Sequence, residues 1–133
     1  MKRALFYLLA ALILVLALAA CTDTVAEDVP AEAAAIGDVN EGRHIFETGG
    51  DALVPCMTCH TLDGTELVGP SLQGIASRAA SETDLSAEDY LRQSITDPAA
   101  YIVDGYADVM NKEYGSKLSE EDVNNVIAFL LTQ

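Results

Sequence analysis

A stretch of five residues, Cys56-Met57-Thr58-Cys59-His60, constrains this chain more than any other feature. Two cysteines three positions apart, followed at once by a histidine, form the C-x-x-C-H pattern that attaches a c-type haem. Cys56 and Cys59 would form thioether bonds with the two vinyl groups of the porphyrin. His60 would then lie beneath the iron as its proximal ligand. The sequence therefore predicts one covalently bound haem c.

Two other uses of a cysteine pair compete with haem attachment. A thioredoxin-like dithiol requires a β-α-β setting, which the sequence does not show. A structural zinc ion requires four nitrogen or sulfur ligands, and only Cys21, His44 and His60 could complete the set. None of these three has the spacing of a zinc finger. Haem attachment is therefore the favoured interpretation.

The first twenty residues have the pattern of an export signal. Two basic residues precede an uncharged stretch, residues 4–20, that is long for a signal peptide and slightly short for a membrane-spanning helix. Its end, residues 18–21, resembles a bacterial lipobox, which implies that Cys21 is acylated and becomes the first residue of the mature chain. An uncleaved N-terminal anchor is the alternative. Both interpretations place the rest of the chain on the outer, periplasmic or extracytoplasmic side of the bacterial membrane.

The cysteine count agrees with that compartment. One of the three cysteines belongs to the lipobox and two belong to the haem motif, which leaves none for a structural disulfide. A free C-x-x-C pair outside the cell would be prone to oxidise, and thioether bonds to a haem remove that liability. The signal and the motif therefore support each other.

Composition divides the exported chain into a linker and one domain. Residues 21–36 are acidic and alanine-rich with few large apolar side chains, so we expect a flexible linker after the signal peptide of residues 1–20. Residues 37–133 suffice for one small domain, in which a buried porphyrin would form part of the core.

N-cap residues and helical periodicity predict that this domain is all-α. The predicted helices span about residues 38–48, 86–96 and 119–131, and their N-caps are Asp38, Ser86 and Ser119. Glycines indicate a loop over residues 61–73, and a short turn of helix is predicted over residues 98–102. No stretch shows the alternation typical of a strand.

The residue on the far side of the iron decides what a haem can do. An open position favours gas binding or oxygen chemistry, whereas a second protein ligand favours electron transfer. Met57 lies between the two cysteines and cannot reach that side, and His44 lies in a helix that we expect at the edge of the domain. Met110, fifty residues after the motif, is the favoured sixth ligand, and His44 is the alternative.

The order of these features resembles that of a class I (monohaem) cytochrome c, from about Asp38 to the C-terminus. The matching segments are Gly42 and Phe46, residues 56–60, 69–74 and 90–98, Gly105-Tyr106, Met110 and residues 127–130. The resemblance implies a small all-α fold wrapped around one haem. Residues 90–110 further resemble the cytochrome c domains of bacterial respiratory complexes.

The same resemblance implies roles for residues near the haem. The backbone carbonyl of Pro70 would accept a hydrogen bond from Nδ1 of His60, which orients the imidazole and raises its basicity. Arg78 would bind a haem propionate, and Arg92 could do so in its place.

The resemblance also bears on packing and on loop rigidity. Gly42 and Phe46 in the first helix would cross Val126 and Phe129 in the last. Asn111 stands where related chains usually have a proline after the sixth ligand, which predicts a less rigid loop at that point.

The charge of the mature chain is strongly negative. After loss of residues 1–20 it keeps five basic side chains against all 21 acidic ones, a net charge of −16. Such a charge argues against binding to nucleic acid or to an anionic membrane surface. It favours redox partner proteins with basic docking patches. An acidophilic or saline habitat, or a merely well-solvated surface, is the alternative.

Together these features predict a lipid-anchored one-electron carrier rather than an enzyme, since the haem supplies the redox chemistry. It would serve as a tethered shuttle, or as the monohaem subunit of a terminal oxidase or of a quinol-oxidising assembly similar to alternative complex III. Its partners would belong to a membrane respiratory or photosynthetic complex. The alternative is a haem enzyme or gas-binding protein with an open distal site.

Overall fold

The computed structural model describes residues 30–50 and 54–133. The predicted signal peptide, Cys21 and most of the predicted linker lie outside the described residues. The described part contains six α-helices and one 3₁₀ turn: α1 (Ala31–Ile36), α2 (Val39–Thr48), the 3₁₀ turn (Cys56–Thr58), α3 (Ile75–Glu82), α4 (Ala87–Thr96), α5 (Tyr114–Lys117) and α6 (Glu120–Leu130). It contains no strand, which confirms the all-α prediction for these residues. None of the helices described is both long and apolar enough to cross a membrane.

The three predicted N-caps form the expected hydrogen bonds. A carboxylate oxygen of Asp38 accepts from the backbone N–H groups of Asn40 and Glu41, at 2.8 and 3.1 Å. Ser86 and Ser119 cap α4 and α6 in the same way, and Ser119 forms a reciprocal capping box. Such caps satisfy backbone donors that the first helical turn leaves unpaired. The predicted starts of α2, α4 and α6 are therefore confirmed.

Helices α2 and α6 cross at a glycine. A Cβ on Gly42 would collide with the backbone carbonyl of Asn125, so only a glycine allows the two helices to lie this close. The rings of Phe46 and Phe129 pack beside this crossing with their centroids 5.4 Å apart. The amide oxygen of Asn125 accepts from the backbone N–H of Asp38 at 2.8 Å, so this buried polar side chain has a partner. The predicted crossing is confirmed.

The structure differs from the sequence analysis in the last part of the predicted flexible linker. Residues 31–36 form α1, which packs against α6, and the side chain of Ala33 is completely buried. The prediction was based on the lack of large apolar side chains. Alanine has the highest helix propensity, and its small side chain allows a short helix to lie close to a neighbour.

Two further differences concern the segments on either side of α4. Helix α3 was not predicted; it buries Ile75 and Ala79 and contacts α4. The helical turn predicted over residues 98–102 is wrong, because these residues form no helix but a single turn, closed by one bond from Ala100 N–H to the carbonyl of Asp97. Tyr101 instead turns its ring edge-on to Tyr90, with centroids 6.0 Å apart.

Candidate functional site

A largely apolar cavity of about 350 Å³ lies within the domain. Its size falls within the range of small-molecule and cofactor sites. Cys56, Cys59, His60 and Met110 all contribute to its wall, together with core residues such as Leu91. The fold thus brings the haem-attachment motif and a methionine fifty residues away to the wall of one cavity.

The 3₁₀ turn places both thiols and the imidazole on this wall. The backbone N–H groups of Cys59 and His60 both donate to the carbonyl of Cys56, at 3.1 and 3.0 Å. The turn begins after Pro55, whose carbonyl accepts from Thr58 N–H at 3.0 Å. Both cysteines are partly buried and neither forms a disulfide. Three reactive side chains therefore face one cavity from a single turn.

The electrostatics of the cysteine pair differ from those of a catalytic dithiol. Burial, with a smaller contribution from the neighbouring Cys59, raises the pKa of the Cys56 thiol to about 11. Redox-active dithiols depend on a lowered pKa and a thiolate. A neutral, partly buried thiol beside an apolar cavity suits a bond to a porphyrin substituent better. Among the described residues, no group of three or more His, Cys, Asp or Glu side chains could hold a metal ion, so the zinc alternative gains no support.

His60 is oriented by a backbone carbonyl. Its Nδ1 lies 2.8 Å from the carbonyl oxygen of Pro70. Since a carbonyl only accepts, Nδ1 must carry the proton, which leaves the lone pair of Nε2 available for a metal. Burial lowers the pKa of His60, against an opposing contribution from the Pro70 bond, which favours the neutral, metal-binding form. The structure thus contains the bond that the family resemblance implied for Pro70.

The loop that carries Pro70 is fixed to the haem-attachment segment by backbone bonds. Gly69 N–H donates to the carbonyl of Cys59 at 2.9 Å, and Leu72 N–H donates to that of Thr61 at 2.7 Å. A Cβ on Gly69 would lie 2.5 Å from Cε1 of His60, so the glycine backbone packs directly against the imidazole. The loop therefore sets both the position and the tautomer of the ring.

Arg78 contributes to the cavity wall and holds the same loop. Its guanidinium donates to the backbone carbonyls of Ser71 and Gln73. Its Nε lies 3.9 Å from a carboxylate oxygen of Glu82. The side chain is 37% exposed, so it connects the cavity with solvent. Contact with a propionate stays a prediction, but the position is compatible with it.

Arg92, the alternative to Arg78, lies elsewhere. Its guanidinium donates to Glu88 at 2.9 Å and to the side-chain oxygen of Asn124 at 2.8 Å. It is not among the residues that line the cavity. Of the two predicted arginines, the structure brings only Arg78 to the site.

Met110 lines the cavity and is partly buried, whereas His44 is exposed on α2 and does not line it. The loop around Met110 has its own side-chain bonds. The amide oxygen of Asn111 accepts from Glu113 N–H at 2.9 Å, and Lys112 forms an ion pair with Asp108 at 2.8 Å. Asn111 therefore restrains the turn after Met110, where the sequence predicted a less rigid loop.

The aromatic wall of the cavity was not predicted from the sequence. Four of the five tyrosines of the chain contribute to it: Tyr90, Tyr101, Tyr106 and Tyr114. Tyr114 is buried, and its hydroxyl donates to the carbonyl of Val54 at 2.6 Å. The clustering of these four residues within 25 positions around Met110 is the signal that could have identified them.

The comparisons with known proteins agree with this geometry. Residues 39–133 match the family described as Cytochrome c, which covers well over half of the chain. No curated protein matches the chain. The matched region contains the whole cavity wall described above, including the two thiols and the imidazole. The chain therefore belongs to the cytochrome c family of haem-based electron carriers, and it binds a c-type haem covalently at the Cys56–His60 motif.

Proposed function

We propose that this protein carries one electron at a time in a membrane electron-transport chain, with His60 and Met110 as the two axial ligands of its haem. The presence of both side chains on the wall of one apolar cavity carries the proposal. The bound haem supplies the change between ferric and ferrous iron. A site closed by two protein ligands favours electron transfer over gas binding.

The residues of the chain suit such a carrier in three ways. His60 presents Nε2 because Pro70 holds the proton on Nδ1. The apolar wall, which includes Phe46, Leu91 and Val126, excludes water and so favours the less charged redox state. A neutral thioether from Met110 raises the reduction potential compared with a second histidine.

The decisive experiment is the absorption spectrum of the oxidised holoprotein. We expect a weak sulfur-to-iron charge-transfer band in the far red at neutral pH, and no ready binding of carbon monoxide by the reduced protein. Met110→Ala should abolish the band and allow carbon monoxide to bind. Met110→His should keep the iron low-spin and lower the midpoint potential.

Met57→Ala is the matched control, because it removes a thioether that is 51% exposed and lies outside the cavity wall. It should leave the band and the potential unchanged. A wild-type protein that lacks the band and binds carbon monoxide readily would refute ligation by Met110. The alternative of a gas-binding protein or haem enzyme with an open distal site would then replace the carrier.

We further propose that the mature chain is anchored at Cys21 to the outer side of the bacterial membrane. The lipobox-like residues 18–21 and the compartment required for haem attachment support this. Intact mass spectrometry should show acylation of the wild-type chain and its loss in Cys21→Ser. An unacylated wild-type chain would contradict the anchor.

The partners are proposed to be proteins of a respiratory or photosynthetic membrane complex with basic docking surfaces. The net charge of −16 after loss of residues 1–20 supports such an association, because opposite charges steer encounter and are screened by salt. Purification from detergent-solubilised membranes, with haem spectra of each band, should show whether the protein migrates alone as a shuttle or within a quinol-oxidising or terminal oxidase complex. A rate of electron transfer that does not change with ionic strength would contradict charge-guided docking.

A further inference from the structure

Tyr114 connects the segment that carries Met110 with the segment that carries the haem cysteines. Its side chain is 7% exposed and its ring lines the cavity. Its hydroxyl donates to the backbone carbonyl of Val54 at 2.6 Å, across sixty positions of the sequence. Val54 is two residues before Cys56, and Tyr114 is four residues after Met110. One hydrogen bond therefore joins the two ligand-bearing segments.

The backbone of Tyr114 is supported from the side of α4. A Cβ on the next residue, Gly115, would collide with the carbonyl oxygen of Thr96, so α5 lies directly against the end of α4. The amide N–H of Leu118 donates to the carbonyl of Tyr114 at 3.0 Å and closes the single turn of α5. The tyrosine ring therefore extends from a fixed backbone, and its few rotatable bonds make it a rigid link.

The chain between Met110 and Tyr114 has little slack. Three residues separate them, and the Asn111 side chain folds this stretch by accepting from Glu113 N–H at 2.9 Å. The carbonyl of Glu113 in turn accepts from Lys117 N–H at 2.9 Å, within α5. A displacement of Tyr114 would consequently be transmitted to Met110.

The hydroxyl of Tyr114 stays a donor over a wide pH range. Burial is the largest cause that raises the pKa of Tyr114, to about 12. The bond to Val54 should therefore persist at neutral and moderately alkaline pH.

We propose that Tyr114 is a positioning residue for the thioether of Met110, because its bond to Val54 fixes the Met110 segment to the haem-attachment segment. This inference rests on the proposed ligation of the iron by Met110. Loss of the bond should leave the ligand set intact and increase the fraction of molecules in which the sulfur has left the iron.

The test uses Tyr114→Phe in the full-length holoprotein, which removes the hydroxyl and keeps the ring. Imidazole is added to the oxidised protein at pH 7, where it competes with the sulfur for the iron, and its binding is followed by loss of the far-red band. A lost intramolecular hydrogen bond should strengthen apparent imidazole binding roughly fivefold. The band should also disappear at lower pH than in wild type.

Thr48→Val is the matched control, since it removes a hydroxyl whose bond is to the backbone carbonyl of His44, in a helix that does not carry Met110 or Tyr114. It should leave imidazole binding unchanged. Unaltered imidazole binding and an unaltered pH profile in Tyr114→Phe would overturn the proposal, even if the melting temperature fell. Failure of Tyr114→Phe to accumulate as a haem protein would also overturn it, because the hydroxyl would then serve folding rather than positioning. Absence of the band in wild type would instead refute ligation by Met110 itself, so the two failures are distinguishable.

Discussion

The segment that carries His60 and the segment that carries Met110 are held in place by different kinds of bonds. Around His60, backbone bonds join positions ten or eleven residues apart, as from Gly69 to Cys59 and from Leu72 to Thr61. Among the described residues 98–111, the backbone bonds join positions only two or three apart. Side chains supply the longer connection here, through Tyr114 and Val54.

This difference indicates which ligand should leave the iron first. Backbone bonds between distant positions resist local opening because several must break together, whereas a loop held by single side-chain bonds can open by itself. The sequence shares this asymmetry, since His60 adjoins two covalent attachment points and Met110 has none. We therefore expect the segment of His60 to stay fixed while the segment of Met110 opens under mild perturbation.

The largest expected effect comes from removing the covalent attachment beside His60. Cys56→Ser or Cys59→Ser should severely reduce the yield of holoprotein, because each removes a thioether. The haem fills part of a small core, so we expect the protein without haem to be largely unfolded. Circular dichroism and the haem content of purified protein measure both effects.

Thr58→Ala is the control for this change, since Thr58 is exposed within the same turn. It should mature with a full complement of haem. Haem that acid–acetone extracts from the wild-type protein would show that the thioether bonds do not exist.

A smaller effect is expected where the backbone meets the imidazole. In Gly69→Ala the new Cβ would lie 2.5 Å from Cε1 of His60, so the ring or the loop must shift. Overpacking of this kind costs roughly 1–3 kcal/mol of unfolding free energy. Chemical denaturation of the oxidised holoprotein measures the loss, and Ser77→Ala, at an exposed position of α3, should cost far less.

The outcome of Gly69→Ala also sharpens the comparison of the two segments. If the segment of His60 is the rigid one, the strain should appear in the unfolding free energy and leave imidazole binding at pH 7 nearly unchanged. A marked increase in imidazole affinity would show that strain beside His60 is transmitted to Met110. That result would contradict the expectation that the two segments respond independently.

The guanidinium of Arg78 provides an intermediate test. It donates to the carbonyls of Ser71 and Gln73, and lysine cannot reproduce a planar, two-pronged donor. Arg78→Lys should lower the unfolding free energy by about 1 kcal/mol. The expected loss is this small because the side chain is partly exposed and solvent screens its interactions. Arg92→Lys is the control, since Arg92 does not line the cavity.

The two arginine variants should also differ in their redox behaviour. Arg78→Lys should shift the midpoint potential and its pH profile, because the lost guanidinium borders the cavity. Equal shifts in both variants would contradict the assignment of Arg78 to the haem site.

Sequence alone predicted the parts of this site that short-range chemistry determines. The haem motif and the caps at Asp38, Ser86 and Ser119 are local patterns, and the structure contains each cap. The packing of Gly42 against α6 was predicted from a resemblance, and the close approach of Asn125 explains why a glycine is required there.

The rest depended on contacts between distant positions. The bond from Tyr114 to Val54 joins residues sixty apart, and no local pattern encodes it. Helix α1 depends on the fit of Ala33 against α6, which composition does not reveal. The choice of Arg78 over Arg92 likewise required knowing that Glu88 and Asn124 already bind Arg92.

The smallest expected effect concerns Asp63, in the loop between His60 and Pro70. The hydrogen bond from Thr65 N–H, at 2.9 Å, holds the pKa of Asp63 below its usual value. A carboxylate with a lowered folded-state pKa stabilises the fold above its unfolded-state pKa, near 3.8, and this contribution is lost as the pH falls through the folded-state value. In Asp63→Asn, the unfolding free energy should therefore fall a little less steeply than in wild type as the pH decreases below about 4. Asp84→Asn, two residues after the end of α3, corrects for the change in net charge. Denaturation midpoints between pH 2.5 and 7 measure the difference, and identical acid limbs in the two variants would show that the Thr65 bond contributes nothing to the fixed segment around His60.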